Sequence, residues 1–277
     1  MRTIPPAVDQ GNTQFCKAYA VAYCLQAAYG KQFDVNWLMG ILTPTETRID
    51  QLLDAVKRYG ALPVGDYSIP PTWTEHAREW VDQNRSKLAK TAAKYKIEQY
   101  ERITSKDALC DAIKSGRYVV FSVAIKTRQV DADGVYRPYS GTDYGIAHAM
   151  SAWYVNPDGT IRVLNSWGTK WGDNGQANML AEDILRGNDC WAFRLEGEEM
   201  RIKFKSAVST GYKVALRSGP STTTDYVYNG KDKCYLRAVD DGVILSKRDG
   251  WCEVSVAQTA DLTVTGWVQA KYVKEED

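Results

Sequence analysis

The chain has only two histidines in 277 residues, His76 and His148, so any imidazole chemistry must use one of them. Its six cysteines, Cys16, Cys24, Cys110, Cys190, Cys234 and Cys252, include no Cys-x-x-Cys pair. With two isolated histidines beside them, that spacing argues against a zinc site, and neither a metal nor another cofactor is expected. An excess of one charge is also missing: 35 Lys and Arg face 34 Asp and Glu, interspersed, for a net charge of +1. That balance gives no ground for a nucleic-acid partner or a polybasic membrane anchor. No apolar run is long enough to span a bilayer, and no internal repeat or low-complexity tract is present. Residues Met1 to Val8 lack the apolar core and cleavage site of a signal peptide. A cytoplasmic protein as synthesised is therefore expected, with later release to an extracellular site of action left open. Reduced thiols fit that compartment, while one or two disulfides stay compatible with the spacing. At 31.1 kDa the chain is long enough for one large domain and a small one.

Against these absences stands one dense stretch, Asp9-Gln10-Gly11-Asn12-Thr13-Gln14-Phe15-Cys16, running straight into an apolar segment that ends at Tyr29-Gly30. The segment is apolar on nearly every face, which predicts a helix buried through a domain core and stopped by Gly30 as its C-cap. Cys16 then falls at the helix N-terminus, where unpaired N–H groups and the positive dipole end favour an anion and so draw a thiol toward thiolate. Gln10, six residues upstream, is within reach of a short turn, and its side-chain amide can donate to an oxyanion forming beside the sulfur. Most cysteines at helix starts are inert, because free cysteine is among the most buried residue types. What lifts Cys16 above that reading lies downstream.

His76 sits in a polar helical run, Thr74-Glu75-His76-Ala77-Arg78-Glu79, and reads as a solvated surface residue. His148 sits in an apolar and aromatic run from Gly145 to Val155 that predicts a buried strand. Soon after comes Asn165-Ser166-Trp167-Gly168-Thr169-Lys170-Trp171-Gly172-Asp173-Asn174-Gly175, which packing alone does not account for. This block resembles the Asn-Ser-Trp-Gly-x-x-Trp-Gly-x-x-Gly signature of papain-like cysteine peptidases and matches it at every fixed position. His148 and Asn165 also lie about 130 to 150 residues beyond Cys16, the separation that family shows. The resemblance implies Cys16 as nucleophile, His148 as its base and acid, Asn165 as the group orienting the imidazole, and Gln10 as oxyanion donor. It implies a resting thiolate–imidazolium pair, and a peptide or protein as substrate. Trp167 would cover the His148–Asn165 hydrogen bond. Ile146 and Ala149 match positions lining an apolar pocket for the second residue before the cleaved bond, and Trp167 and Trp171 join them as expected substrate-binding residues.

The chain departs from the family pattern in three places. The usual Cys-Gly-Ser-Cys-Trp reads Thr13-Gln14-Phe15-Cys16-Lys17, so lysine follows the nucleophile where tryptophan is usual. The acidic residue that often precedes the histidine is Ala147. A glycine pair that aligns the substrate backbone would fall near Thr45-Glu46-Thr47, where no glycine exists. Family members are usually made with an inhibitory prosegment, whereas Gln10 comes early here. The alternatives are a mature fragment given a start Met, or an enzyme that needs no zymogen.

Elsewhere in the first 198 residues, helical spacing appears over 49–60 with a glycine stop, over the charged run 73–95, and over 105–116, with strands near 95–100 and 118–125. The expected fold is α+β: a two-lobed papain-like domain, residues 1–198, with a helical lobe and a β-barrel-like lobe meeting across a cleft. Past Glu196-Gly197-Glu198-Glu199 short alternating runs with turn residues replace long helices, the pattern of a small barrel. Residues 199–277 resemble a bacterial SH3-like domain in three stretches, Val214 to Ser221, Asp249 to Val254 and Gly266 to Val273. That resemblance implies a cell-wall or peptide ligand, with Tyr226, Tyr228 and Tyr235 as a binding face; a structural appendage is the alternative. Three functions follow: a thiol endopeptidase with a targeting module, a peptidoglycan peptidase of bacterial or phage origin, or a binding protein on a decayed peptidase scaffold.

Overall fold

The computed structural model describes residues 3–125, 129–138, 145–195, 202–209, 212–229, 232–237, 240–248, 250–259 and 262–275. The expected boundary between 198 and 199, the run Glu196 to Glu199, Tyr144 and Asp249 lie outside the described residues. The chain divides into two compact units, Met1–Gly197 and Glu198–Asp277.

In the first unit the organising element is α1 (Cys16–Tyr29), whose residues from Lys17 to Leu25 are all buried. Alanine dominates this helix, and its lack of side-chain entropy loss favours helix while its small volume lets neighbours approach. Gly30 ends it with φ 65 and ψ 21, a left-handed turn that costs glycine nothing, and its N–H caps Gln26 O at 2.9 Å. Three further helices gather on this core: α2 (Val35–Gly40), α3 (Ile49–Tyr59) and α4 (Thr74–Ala92). Asp34 caps α2 by accepting from the Trp37 N–H, which fixes where that short helix begins.

The rest of the unit is a six-stranded antiparallel sheet built from β1 (Ile97–Arg102), β2 (Tyr118–Ile125), β3 (Ile146–Val155), β4 (Ile161–Leu164), β5 (Gln176–Met179) and β6 (Asp189–Leu195). Its strand order is β1-β6-β2-β3-β4-β5. The two-residue period of a strand assigns its side chains to two cores. Tyr118 and Val120 of β2 pack with α1 to α4, while Val119, Phe121 and Val123 pack on the other face. That second face is covered by α5 (Lys106–Lys114), capped by Ser105, and the short α6 (Ala181–Arg186). Alternation continues on β3, where Ala149 belongs to the first core and Met150 and Ala152 to the second. His148 therefore lies on the second face, one residue from a position that touches the α1 side.

The turn that follows β4 is held by glycine geometry. Gly175 has φ +83, and a Cβ there would come within 2.0 Å of Ala7 Cβ. Its carbonyl accepts the Asn165 N–H at 3.0 Å, so the last glycine of the block closes back onto the first residue. The N-terminal segment is tied to the same block by Gln10 N–H to Ser166 O at 2.8 Å and Gly168 N–H to Val8 O at 3.2 Å. The Tyr23 hydroxyl of α1 takes the Val8 N–H at 2.8 Å from the other side.

Among its described residues the second unit is built of β-strands, with one short 3₁₀ turn at Ala270–Tyr272. A five-stranded antiparallel sheet, in the order β14-β13-β12-β7-β15, contains β7 (Ile202–Ser206), β12 (Asp241–Arg248), β13 (Trp251–Thr259), β14 (Leu262–Gln269) and β15 (Val273–Glu275). Two short ladders accompany it: β8 (Lys213–Ala215) with β11 (Tyr235–Arg237), and β9 (Tyr228–Asn229) with β10 (Asp232–Lys233). Leu216, Leu236, Ile244, Val254, Val256 and Val268 form its core.

Gly175→Ala tests the closing turn. A side chain forced to positive φ costs about 1–3 kcal/mol before the collision with Ala7 is added, so urea unfolding followed by tryptophan fluorescence should show a loss of about 2 kcal/mol or more.

Candidate active site

Six of the residues singled out from the sequence meet around one cleft of about 800 Å³ in the first unit. Gln10, Cys16, Ile146, His148, Ala149 and Trp167 all line it. Asn165 is fully buried behind His148, and its Oδ1 lies 2.7 Å from His148 Nε2. Ile146 is 77% exposed at the mouth while Ala149 is buried. Trp171 departs from the expectation of a substrate-binding role. It is 8% exposed, is absent from the cleft lining, and stands edge-on to Tyr136 and to Trp167 in the second core. Its contribution is to support Trp167, because the loop that carries both tryptophans turns one toward the cleft and the other beneath it. His76 is exposed on α4 and is not one of the residues lining that cleft, although its neighbours Glu75 and Arg78 are.

The proton on His148 can be assigned from its neighbours. Asn165 Oδ1 accepts the Ser166 N–H at 2.7 Å, which fixes the side chain with its oxygen toward that donor. The same oxygen meets His148 Nε2, so Nε2 must carry hydrogen and donate, and in the neutral ring the lone pair lies on Nδ1. Trp167 lies over the imidazole with ring centroids 4.4 Å apart and planes 25° from parallel, which keeps water off this bond. The arrangement has a cost: Asn165 Nδ2 is buried with no hydrogen-bond partner among the described residues.

Cys16 is the first residue of α1, and Phe15 before it gives no side-chain cap, so the first N–H groups of the helix are left for other acceptors. Burial pushes the thiol above its ordinary value; against this act the N–H of Ala149, the N–H and charge of Lys17, and its own N–H. The sulfur thus faces β3 one residue from His148. The helix N-terminus alone predicts a lowered thiol, and desolvation reverses that direction. By comparison Cys190, buried on β6 with Asp189 beside it, is pushed up to about 12. Lys17, next to the sulfur, is itself pushed down to about 8, chiefly by burial.

Gln10 is oriented by both ends of its amide. Its Nε2 donates to Thr13 O at 2.7 Å and its Oε1 accepts from the Ser166 hydroxyl. An amide nitrogen carries two hydrogens, so one remains for a ligand in the cleft. Ser166 and Lys17 are the two site residues that reasoning from sequence did not single out. Ser166 was legible as a fixed position of the Asn-Ser-Trp-Gly block; Lys17 was visible only as a departure from it.

The profile of the papain family of cysteine proteases matches residues 51–193, a span that includes His148 and Asn165. That is over half the chain, and the chain belongs to this family; it is a cysteine peptidase, a hydrolase. It is 29% identical over 226 residues to an uncharacterized peptidase C1-like protein of Acanthamoeba polyphaga mimivirus, covering 68% of this chain and 70% of that one. Among solved structures it is similar to xylellain, a cysteine protease from Xylella fastidiosa, with a TM-score of 0.55 and 21% identity over 69% of this chain and 83% of that chain. It is also similar to the bromelain protease of Ananas comosus, with a TM-score of 0.50 and 16% identity over 70% and 94% of the two chains. At such identities these two structures speak for the fold alone, and the fold they share is the papain-like α+β fold. Among the described residues no helix is long and apolar enough to cross a membrane, and no group of three or more His, Cys, Asp or Glu is placed to hold a metal ion.

The tautomer assignment has a direct check. In protein labelled with ¹⁵N-histidine, a slowly exchanging proton is expected on Nε2 of His148, and Asn165→Ala should abolish its protection, since the donor then has no acceptor. A ring protonated on Nδ1 alone would contradict the assignment.

Proposed function

We propose that the chain is a thiol endopeptidase in which Cys16 attacks the scissile carbonyl and His148 moves the proton. The supporting observation is the hydrogen bond from His148 Nε2 to Asn165 Oδ1, because it leaves Nδ1 as the basic nitrogen of a ring that lines the same cleft as the sulfur. Nδ1 accepts the Cys16 proton, and the sulfur forms a bond to the carbonyl carbon. The oxygen becomes an anion, and the remaining N–H of Gln10 Nε2 with the Cys16 backbone N–H stabilises it. Collapse expels the amine, which takes the proton from Nδ1, and leaves a thioester. Water, deprotonated by the same nitrogen, then releases the acid and restores the thiol. Burial holds the unpaired thiol protonated, so the ion pair with His148 must supply the thiolate. Ile146 and Ala149 offer an apolar wall for a side chain of the substrate.

The second unit is read as an SH3-like module that holds the enzyme at its substrate. Its antiparallel sheet suits a small barrel, and Tyr228 is exposed while Tyr226 and Tyr235 are half-buried. Lysine or arginine lies against two of these rings: Arg217 and Lys233 on Tyr226, and Lys213 on Tyr235. A face of that composition suits a peptide or cell-wall ligand with anionic groups.

Purified protein assayed in parallel on casein and on isolated cell walls tests the reading. Casein cleavage is expected, and Cys16→Ala should lower it by at least about 10⁴-fold with the circular dichroism spectrum unchanged. Activity on walls alone would make the enzyme a peptidoglycan peptidase, and turnover retained in Cys16→Ala would end the assignment.

A further inference from the structure

Lys17 stands where the family pattern has tryptophan, and its environment is unusual for a lysine. It is the second residue of α1, is 8% exposed, and lines the cleft beside Cys16. Its Nζ donates to the backbone carbonyl of Glu46 at 3.2 Å. That carbonyl belongs to residues 43–47, the part of the cleft wall without the glycine pair that aligns substrate in the family. These residues are gripped by cations along their length. Arg78 of α4 donates to Leu42 O at 3.0 Å and Thr43 O at 3.2 Å, and Arg58 lies 3.6 Å from Glu46 Oε1. Glu46 Oε2 in turn accepts the Thr43 N–H at 2.7 Å.

We infer that Lys17 is a positioning residue for the peptidase reaction: its ammonium ties the start of the nucleophile helix to the 43–47 wall and favours the thiolate of Cys16. The inference rests on the reading of Cys16 as nucleophile. A positive charge one residue from the sulfur lowers the energy of its anion, and it does so in a buried setting where water screens little. The tie to Glu46 O meanwhile holds the wall against which an extended substrate lies, in the absence of glycines that would let the backbone approach.

The charged and titratable groups facing Lys17 are Cys16 on its own helix, Arg78 on α4, Glu46 on the 43–47 wall and Asp189 on β6. Cys16, Glu46 and Asp189 favour its charged form, and Arg78 and burial oppose it. Burial dominates and sets the lysine near 8. Above that pH the amine is neutral, so its support for the thiolate disappears as pH rises through about 8. The stability effect has the opposite sense. A lysine whose folded value lies below its unfolded one destabilises the native state while charged, and that cost fades as pH rises from about 8 toward about 10.4, the unfolded value. A lysine kept for function predicts that its removal harms activity without harming stability; a structural brace predicts loss of both.

The experiment uses the full chain with Lys17→Arg and Lys17→Met beside wild type. The rate of Cys16 alkylation and kcat/KM on a fluorogenic peptide are followed from about pH 5 to about pH 10. Lys17→Met should move the acid limb of alkylation up by roughly one unit and raise KM, at a melting temperature no lower than wild type at neutral pH. Lys17→Arg carries a cation that stays protonated, so it should restore the acid limb and move the alkaline limb of kcat/KM above that of wild type. An acid limb in Lys17→Met that superimposes on wild type, or an unmoved alkaline limb in a folded Lys17→Arg, overturns the inference. Should arginine prevent folding, the acid limb of Lys17→Met decides alone. Activity that survives complete alkylation of Cys16 would instead sink the nucleophile assignment, so the two failures are distinguishable.

Discussion

The hydrogen bond between His148 and Asn165 is the constraint on which the site depends. A buried hydrogen bond contributes only about 1 kcal/mol net to stability; its value here is directional. It decides which ring nitrogen carries hydrogen and which one carries the lone pair. To hold Asn165 the chain brings several segments together: the Gly175 carbonyl accepts its N–H, its side-chain oxygen accepts the Ser166 N–H, and residues 8–10 pair with 166–168. Tyr23 anchors that N-terminal segment to α1, so the helix that begins at Cys16 and the side chain of Asn165 belong to one connected framework. Among the described residues the buried Asn165 Nδ2 has no hydrogen-bond partner. An unsatisfied buried donor costs about 1–3 kcal/mol, a sacrifice of stability at a functional site.

The sulfur is held under a comparable tension. Helix α1 delivers it with free N–H groups and the positive dipole end, yet the buried setting that makes those groups effective also penalises the anion. The outcome is a thiol whose ionisation is set by its surroundings: burial raises it, and the N–H groups of Ala149 and Lys17 and the charge of Lys17 oppose that rise. Cys190 shows what burial does where nearby charge is negative: it is pushed up to about 12. Position relative to donors and charges, rather than residue type, separates the two cysteines.

Much of this was legible in the sequence because the relevant signals are local. Glycine at position 30 and an unbroken apolar run define α1, and Cys16 is its first residue as expected. The runs around Tyr118 and His148 form β2 and β3, and Ser105 caps α5. The Asn165 to Gly175 block has its fixed spacing because each glycine meets a turn or a close approach, as Gly175 does with Ala7. What sequence does not reveal is the direction of side chains within such a block. Trp167 and Trp171 are equivalent in the signature, yet one stacks on the imidazole and the other props it from the core. Lys17 was obscured for another reason. A charged residue in an apolar helix reads as the solvent side, but α1 is enclosed on every face and the lysine finds its partner in a carbonyl 29 residues away. The raised Cys16 thiol is not legible from a helix terminus, because burial, its largest cause, is a property of the folded surroundings.

Whether Cys16 is paired with His148 is decided by site-resolved alkylation. Each of the six cysteines is followed by mass spectrometry during limited treatment with iodoacetamide across acidic to alkaline pH, in wild type and in His148→Ala. In wild type Cys16 should react first and keep reacting well below the pH at which an ordinary thiol falls silent, and in His148→Ala that low-pH reactivity should vanish. A Cys16 that labels no faster than the half-buried Cys110, or whose pH profile is the same with and without the imidazole, would contradict the account.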